Sequence, residues 1–403
     1  MKTTVVLTGG GSGGHITPIV AVAAELKRQR SDTRTVYIGQ RGDRLADIAA
    51  DNPAIDEVLS VRAGKFRRYH GEGWRQLLDL STLLKNIRDF FYVLIGFWQS
   101  RGLLKKIQPD VVFVKGGFVG VPVGLAAASL RIPYITHDSD AIPGLANRII
   151  ARWASLHAVA LPVDTYPYPA DKTITTGIPL QAEFTPVSAA LRKKYRAEIK
   201  IPEAARLVFI IGGGLGSQRV NQTVAEIVPH LLREFKDLYV VHGAGRANEV
   251  ALQQAYAASL STSEQGRARA FGFVSDVYRY SGAADIIITR AGATNLAEFA
   301  LQGKACVVVP SPFLSGGHQL KNAQYLADEK AAVVVDEATL LDNPNQLARQ
   351  VSGLLRDTAY RHELERNLAT FAKPHATREL ARIILDQAGK RPATTGRKNS
   401  SSR

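Results

Sequence analysis

A glycine-rich segment that ends in a histidine is the part of the chain best suited to do chemistry. The segment Thr8–Pro18, TGGGSGGHITP, directly follows the apolar run Thr4–Leu7. Glycines let the backbone approach a bound group closely, and the free N–H groups at the start of the next helix bind anions. The sequence therefore predicts a strand, a tight loop and a helix that hold a diphosphate or a developing oxyanion. His15 falls at or just before the first helical turn, and its imidazole titrates near neutral pH.

The same glycines also match the G-x-G-x-x-G pattern of dinucleotide-binding proteins. A nicotinamide enzyme of that kind needs an acidic residue at the end of its second strand, where it binds the ribose. The second predicted strand ends at Gln40 without a carboxylate, and Asp43 comes only after Arg41. The pattern therefore favours an enzyme that handles a nucleotide sugar or another phosphate over a nicotinamide enzyme.

Two later segments are suited to a nucleotide. Gly212–Gly216 repeats the glycine loop after the apolar run Arg206–Ile211, and Arg290–Thr294 opens a predicted helix with small residues. Glu298 follows one turn later, where its carboxylate can accept both hydroxyls of a ribose while the helix start binds the phosphates. Taken alone, Glu298 is better explained as a solvated charge that complements the helix dipole.

The loop Ser311–Gln319 and the residues after it carry polar groups that could bind sugar hydroxyls. His318, Gln319 and Asn322 supply an imidazole and two amides. His318 is equally explained as an ordinary residue at the start of a helix. Two glycine loops at matching places in the two halves of the chain favour a ligand cleft over two turns that bind nothing.

The elements that must position these residues follow a strand–loop–helix order in two blocks. The first block contains the predicted strands Thr4–Leu7, Thr35–Ile38, Asp110–Val114, Tyr134–His137 and Leu156–Ala160 and the main helices Ile19–Arg30 and Leu77–Ile107. The second contains the predicted strands Arg206–Ile211, Leu238–Val241, Ala268–Phe271, Asp285–Thr289, Ala305–Val309 and Ala332–Val335. This alternation predicts an α/β protein of two Rossmann-like, doubly wound parallel sheets whose strand ends face a shared cleft. A single large domain is disfavoured because each block opens with its own strand and glycine loop.

The predicted division of the chain has five parts. They are an N-terminal domain at 1–180, a linker at 181–204, a C-terminal domain at 205–370, a helix at 371–389 that returns to the N-terminal domain, and a basic tail at 390–403. The tail has no apolar period, so we expect it to be disordered.

Composition limits the kind of protein. The 403 residues, of which 45% are hydrophobic and 22% charged, are enough for proper cores in two domains. The single cysteine, Cys306, lies in an apolar run and is expected to be buried, which fits a reducing cytoplasm. The sequence leads directly into a strand, so we expect no signal peptide. The longest apolar run, Phe90–Trp98, is about half as long as a membrane-spanning helix requires.

The net charge of +15 favours a polyanionic partner, either a nucleic acid or an anionic membrane. Arg62–Lys106 mixes basic and aromatic residues around an apolar helix, which is typical of a surface that docks on anionic lipid. The alternative is a core helix with a solvated basic face. The basic residues form no recognised nucleic-acid module, so we expect no nucleic acid partner.

Five motifs, in order along the chain, resemble the MurG family of glycosyltransferases. They are GGGSGGHITP at 9–18, KGGFVGVPVGLAA at 115–127, HDSDAIPGLANR at 137–148, GIPL at 177–180 and the block 290–322. The resemblance implies two Rossmann-like domains in the GT-B architecture and catalysis without a metal or other cofactor. It implies transfer of N-acetylglucosamine from UDP-N-acetylglucosamine to undecaprenyl-diphosphate-linked muramoyl-pentapeptide (lipid I to lipid II) in peptidoglycan synthesis, with inversion at the sugar. It also implies a peripheral position on the cytoplasmic face of the cell membrane.

The resemblance further implies roles for individual residues. His15 and Asp140 are the candidate catalytic bases, with Asp138 a further possibility, and His15 is equally explained as a residue that orients the loop. Donor contacts are expected from Ser12, Gly13, Gly14, Gly214, Ser217, Phe273, Val274, Arg290, Gly292, Ala293, Thr294, Glu298, His318, Gln319 and Asn322. Among these, Glu298 matches the ribose ligand, Phe273 and Val274 face the uracil, and Arg290 lies near the diphosphate. Acceptor contacts are expected from Gly10, Gly11, Gly116, Gly117, Phe118, His137 and Gln181.

Four positions depart from the family's motifs. Gly214 replaces a serine in the second glycine loop, Asp140 replaces an amide, Phe118 replaces a tyrosine and Gln181 replaces an arginine. These changes leave the fold unaffected and concern the acceptor and, to a lesser extent, the donor sugar. Two alternatives therefore stay open: a UDP-sugar glycosyltransferase with another lipid acceptor, and a UDP-sugar-binding protein without catalytic activity.

Overall fold

Two parallel β-sheets form the framework of the structure, a computed structural model that describes residues 2–10, 13–43, 46–65, 80–213, 216–312 and 317–390. The strands of the first sheet are β1 (Thr4–Thr8), β2 (Arg34–Gln40), β3 (Glu57–Val61), β4 (Val111–Val114), β5 (Tyr134–Asp138), β6 (Leu156–Val159) and β7 (Thr173–Thr175). Those of the second are β8 (Arg206–Ile211), β9 (Leu238–Gly243), β10 (Ala268–Phe271), β11 (Ile286–Thr289), β12 (Ala305–Val308) and β13 (Val333–Val334). The strand orders are β3-β2-β1-β4-β5-β6-β7 and β10-β9-β8-β11-β12-β13. The predicted pair of Rossmann-like sheets is confirmed.

Helices connect the strands and cover both faces of each sheet. In the first half they are α1 (Gly13–Gln29), α2 (Ala46–Ala50), α3 (Leu80–Ile107), α4 (Gly120–Ser129), α5 (Leu145–Ile150) and α6 (Ala189–Glu198). In the second half they are α7 (Gln218–Glu234), α8 (Glu249–Ser259), α9 (Thr262–Gln265), α10 (Val277–Ala283), α11 (Ala293–Gln302), α12 (His318–Asp328), α13 (Glu337–Asp342), α14 (Asn345–Arg356), α15 (Thr358–Ala369) and α16 (Ala376–Gly389). Because helices cover both faces, β1 and β4 are buried along their whole length, and their sequences are continuously apolar apart from the threonines at the two ends of β1.

The strand register determines which loops meet at the carboxyl edge of each sheet. Thr8 pairs with Val114, so the loops that follow β1 and β4 leave the first sheet side by side. Ile211 pairs with Thr289, so the same holds for the loops after β8 and β11 in the second sheet. In both sheets the strand order reverses between these two strands, which is where α/β sheets bind their ligands.

Two strands, β3 and β7, were not predicted. Both lie at an edge of the first sheet and have partly exposed side chains, so they lack the long apolar run that identifies a buried strand. Helix α1 begins at Gly13 rather than at Ile19, so His15 lies in its first turn. The predicted start of the long helix at Leu77 lies outside the described residues.

Helix α16, at the end of the described chain, packs on the first sheet rather than the second. Its residues Leu380 and Ile384 are fully buried in one cluster with Val5, Leu7 and Ile19. The returning segment is held by Thr377, whose Oγ1 accepts a hydrogen bond from the N–H of Leu180 at 2.9 Å. The exact domain boundaries stay a prediction, and 391–403 of the predicted tail lie outside the described residues. Across the described ranges, every helix is too short or too polar to cross a bilayer.

Candidate active site

The loops after β1 and β4 lie in backbone contact. Gly117 has a φ of +78°, and a β-carbon added to it would lie 2.4 Å from the carbonyl oxygen of Gly10. Gly116 has a φ of +103°, and a β-carbon there would lie 3.6 Å from Nε2 of His15. Glycine is required at 117 because any other side chain would separate the loops. The predicted acceptor glycines and the candidate base are therefore neighbours.

His15 is half-buried beside these loops. Its imidazole hydrogen-bonds the backbone of Gly10. Burial, followed by the charge of Lys115, lowers the pKa of His15 to about 4, while Asp140 acts in the opposite direction. The imidazole is therefore neutral at pH 7 and able to accept a proton, as a general base must.

His137 and Asp138, at the end of β5, lie in the interior. His137 is fully buried, and its Nε2 lies 2.9 Å from the carbonyl oxygen of Gly177. The carboxylate of Asp138 accepts hydrogen bonds from the N–H of Gly144 and the hydroxyl of Tyr168. Burial lowers the pKa of His137 and raises that of Asp138. This environment leaves His137 no surface for the acceptor and gives Asp138 a structural role.

The next two residues of the chain are partly exposed. The hydroxyl of Ser139 accepts a hydrogen bond from Nζ of Lys115 at 2.6 Å. Lys115 follows β4 directly and is almost fully buried, and its burial lowers its pKa to about 8. Oδ1 of Asp140 accepts a hydrogen bond from Nδ2 of Asn322, which belongs to the second half of the chain. This segment therefore lies where the two halves meet.

The loops after β8 and β11 form the corresponding edge of the second sheet. Ser217 begins α7 as its N-cap, and its hydroxyl accepts a hydrogen bond from Nη2 of Arg290. The same nitrogen lies 2.6 Å from Oε1 of Glu337, which is buried. Gly216 has a φ of +72°, and a β-carbon there would lie 1.8 Å from the carbonyl oxygen of Ala244. The loop thus combines a fixed cation with a helix start, both of which attract a diphosphate.

Helix α11 directs its N-terminus into the gap between the sheets. Its N-cap, Gly292, has no side chain to occupy the free N–H groups, and Ala293 is the first helical residue. Oγ1 of Thr294 lies 3.4 Å from the carbonyl oxygen of Gly14 in the other half. Glu298 lies four residues further on the same face. Its carboxyl is half-buried and has no hydrogen-bond partner among the described residues, and burial raises its pKa to about 8.

The predicted uracil contacts follow β10. Phe273 is exposed, and the guanidinium of Arg246 lies over its ring at 4.8 Å from the centroid. Val274 packs on the core of the second sheet. Arg246 was not predicted, because its pairing with Phe273 joins two loops that are far apart in sequence.

The first turns of α12 carry the predicted sugar-binding residues. Nδ1 of His318 is buried without a hydrogen-bond partner among the described residues and lies 4.0 Å from Oδ2 of Asp140. Oε1 of Gln319 accepts a hydrogen bond from the N–H of Ser311.

Asn322, one turn further along α12, joins the two halves. Its Nδ2 donates to Asp140 and to the carbonyl oxygen of Ala291, and its Oδ1 accepts from the N–H of Ala141. Three of its four hydrogen-bonding positions are thus used by the protein itself. The amide therefore connects the two halves, and its donor contact stays a prediction.

The remaining predicted residues are placed as follows. Gly13 is the first residue of α1, Phe118 packs against the α3–α4 core, and Gln181 is exposed after the last strand of the first sheet. Gly11, Ser12 and Gly214 lie outside the described residues. Among those that are described, no group of three or more histidine, cysteine or acidic side chains is arranged to hold a metal ion.

Comparisons with known proteins cover both halves of the chain. Residues 5–159 match the glycosyltransferase family 28 N-terminal domain, and residues 207–380 match the glycosyltransferase family 28 C-terminal domain. The chain is 31% identical over 389 residues to the UDP-N-acetylglucosamine–N-acetylmuramyl-(pentapeptide) pyrophosphoryl-undecaprenol N-acetylglucosamine transferase of Caldicellulosiruptor saccharolyticus, covering 95% of this chain and 97% of that protein.

Two further similarities are of the same extent. A protein of the same name in Natranaerobius thermophilus is 29% identical over 381 residues, which is 94% of this chain and 98% of that one. The solved structure of Acinetobacter baumannii MurG is 25% identical, with a TM-score of 0.70 over 95% of this chain and 99% of that chain. The similarity therefore spans both sheets and the segment between them.

Proposed function

Since the chain belongs to the MurG family within glycosyltransferase family 28, we propose that it transfers N-acetylglucosamine from UDP-N-acetylglucosamine to undecaprenyl-diphosphate-linked N-acetylmuramoyl-pentapeptide. The product is the β-linked disaccharide on the lipid, formed with inversion at the transferred sugar. The relatives that carry this name align with this chain over nearly their whole length, which supports the same reaction here.

One observation carries the proposal: a helix start with an unpartnered carboxylate faces the glycine loop of the other sheet. Thr294, in the first turn of α11, contacts the carbonyl oxygen of Gly14 next to His15. Glu298 lies on the same helix face, and its carboxyl has no hydrogen-bond partner within the part of the chain that the structure describes. A ribose on Glu298 and a diphosphate at the start of α11 would bring the sugar of the donor to the candidate base.

The reaction has three requirements, and different residues meet them. His15 takes the proton from the acceptor hydroxyl, whose oxygen then attacks the anomeric carbon of the sugar. The start of α11 and the guanidinium of Arg290 stabilise the diphosphate as it leaves. Asp140, the other candidate base, accepts a hydrogen bond from Asn322 and is therefore less suited to take the proton.

The test is transfer to a soluble, short-chain analogue of the lipid acceptor, with labelled UDP-N-acetylglucosamine. We expect labelled disaccharide-lipid from the wild type, and its loss in both Glu298→Ala and His15→Ala. Glu363→Ala is the matched control, because this glutamate is exposed on α15. Donor binding without transfer would redirect the search to another lipid acceptor or to a binding protein. No donor binding at all would refute the proposal.

A membrane-docking surface accompanies this reaction because the acceptor is lipid-linked. Exposed apolar residues recur on one face of α3 at spacings of three and four: Leu84, Ile87, Phe91, Leu94 and Trp98. Arg62 and Arg88 flank this face, stacked on the ring of Tyr92 at 5.6 and 5.5 Å. Such a face suits the boundary between headgroups and acyl chains, with the arginines on anionic lipid. The predicted basic residues at 66–79 lie outside the described residues.

Vesicle binding tests this surface. The double variant Phe91→Glu/Trp98→Glu should bind vesicles of anionic and neutral lipid at least about 10-fold more weakly, since two large apolar side chains are lost from the interface. Val250→Glu, which changes an equally exposed side chain on α8, is the matched control. Transfer to the soluble acceptor should be unchanged in both. Unaltered vesicle binding by the double variant would exclude α3 as the docking surface.

A further inference from the structure

A buried ammonium group lies beside the acceptor loops, and no carboxylate of the described residues is in contact with it. Lys115 follows β4 and is only 2% exposed. Its one hydrogen bond among the described residues goes to the hydroxyl of Ser139, at 2.6 Å. Buried charges in proteins are normally paired, because burying an ion without a partner is costly. A lysine in this state calls for an explanation in terms of function.

The two nearby carboxylates accept hydrogen bonds from other groups. Asp138 accepts hydrogen bonds from Gly144 and Tyr168, and Asp140 accepts one from Asn322. Both carboxylates act on Lys115 through space, but neither forms an ion pair with it within the described part of the chain. The positive charge is therefore stabilised without being neutralised by direct contact.

The hydroxyl of Ser139 is polarised by this positive charge. Its oxygen accepts the hydrogen bond from the ammonium, so its own hydrogen is available to an acceptor other than Lys115. Ser139 is partly exposed and directly precedes Asp140, which contacts the second half of the chain. A hydroxyl polarised by a cation is a stronger donor than an isolated one, and an anionic oxygen is its best partner.

We propose that Lys115 and Ser139 form an anion subsite for the diphosphate of the lipid-linked acceptor, in which Ser139 donates to a phosphate oxygen and Lys115 acts as a positioning residue behind it. This inference rests on the proposed function. The acceptor is the favoured ligand because the pair lies at the carboxyl ends of β4 and β5, beside the loops of Gly10 and Gly117. The donor diphosphate has its own cation, Arg290, in the other half.

The experiment measures KM for each substrate with the full-length protein. Lys115→Met and Ser139→Ala should each raise the KM for the soluble acceptor analogue by about 10- to 100-fold, the effect of losing one charge-assisted hydrogen bond. The KM for UDP-N-acetylglucosamine should change by less than about 2-fold. Ser139→Thr keeps the hydroxyl and should restore most of the acceptor affinity, which a merely structural role would not predict.

Lys304 supplies the matched control for the loss of a buried lysine. It is 5% exposed, and its pKa is also lowered to about 8, but its Nζ donates to the carbonyl oxygens of Gly282 and Ala284 in the second half. Lys304→Met should leave the acceptor KM unchanged. At a saturating concentration of UDP-N-acetylglucosamine, which fills the donor site, inorganic diphosphate should inhibit the wild type competitively with the acceptor and should inhibit Ser139→Ala at least about 10-fold more weakly.

The outcomes separate this inference from the proposed function. Transfer by the wild type, with an unchanged acceptor KM in Lys115→Met and Ser139→Ala, would overturn the subsite and leave the reaction intact. An equal rise in both KM values would also overturn it, since the pair would then act on the donor or on domain closure. Absence of transfer by the wild type would overturn the reaction itself. The subsite could then still be tested by comparing the direct binding of inorganic diphosphate to the wild type and to Ser139→Ala.

Discussion

Glu298 provides the sharpest test of the donor site, because its charge must change when a nucleotide binds. In the free protein burial holds the pKa of its carboxyl at about 8, so it is mostly protonated at pH 7. Ribose hydroxyls donate hydrogen bonds to the ionised form and favour it. Donor binding should therefore release a proton, and donor affinity should rise with pH until the free carboxyl is ionised.

The size of the effect follows from that pKa. The ionised fraction of the Glu298 carboxyl in the free protein is about 3% at pH 6.5 and about 75% at pH 8.5, so the affinity for UDP-N-acetylglucosamine should increase about 25-fold over this range. About 0.9 protons should be released per donor bound at pH 7. Glu298→Gln should bind about 10- to 100-fold more weakly than the wild type at pH 8.5, and its affinity should not depend on pH.

Isothermal titration calorimetry in two buffers of different ionisation enthalpy measures both the affinity and the proton count. Glu363→Gln, on the exposed face of α15, should behave as the wild type does. A wild-type affinity that is constant from pH 6.5 to 8.5, without proton release, would refute the reasoning.

The ligand-free protein gives an independent check. The folded pKa of about 8 lies above the ordinary value of 4.5, so the folded state holds the proton more tightly than the unfolded state. The free energy of unfolding must then fall as pH rises from about 4.5 to 8. Glu298→Gln removes this loss, and at pH 8.5 the variant should unfold at a higher temperature than the wild type.

Two further predictions concern the loops. The imidazole of His15 should stay neutral in an NMR titration down to about pH 4, and Lys115→Met should raise its midpoint by removing a nearby positive charge; a midpoint near 6.5 in the wild type would contradict this. Gly216→Ala should cost about 2–4 kcal/mol in the free energy of unfolding, because it adds overpacking against Ala244 to a strained φ. Gly213→Ala, with a φ of +88° but open space around it, should cost only about 1 kcal/mol, and equal losses in thermal unfolding would show that the clash is relieved.

The sequence predicted the parts of the fold that depend on local pattern. Central strands such as β1 and β8 are largely apolar runs that are followed by glycines, and both properties can be read along the chain. The edge strands β3 and β7 were not predicted, because strands that are partly exposed to solvent lack a continuous run of apolar residues. The start of α1 was predicted too late in the chain, because the glycine-rich segment before it was interpreted as a loop.

The contacts of the candidate site are harder to predict from the sequence than its loops, because contacts depend on which residues meet across the gap. Asn322 stays a predicted sugar ligand, but the hydrogen bonds by which its amide joins α12 to Asp140 and Ala141 could not be read from the sequence. The contact between Arg246 and Phe273 likewise depends on how two separate loops fold against each other. The burial of Lys115 was not predicted either, because it depends on how the segments after β4 and β5 pack together.

The return of α16 to the first sheet makes the N-terminal half dependent on the end of the chain during biosynthesis. Strand β1 emerges from the ribosome before the other described strands, yet Leu380 and Ile384, which pack in one cluster with its apolar side chains, emerge only after the whole second sheet. The first core must therefore stay partly open while the second one folds, and contacts of this sequence separation form slowly. A chain cut short before Ala376 would keep every residue of both glycine loops and still lose the packing under His15. Such a fragment would expose the apolar side chains that α16 covers, which makes it a target for chaperones and proteases.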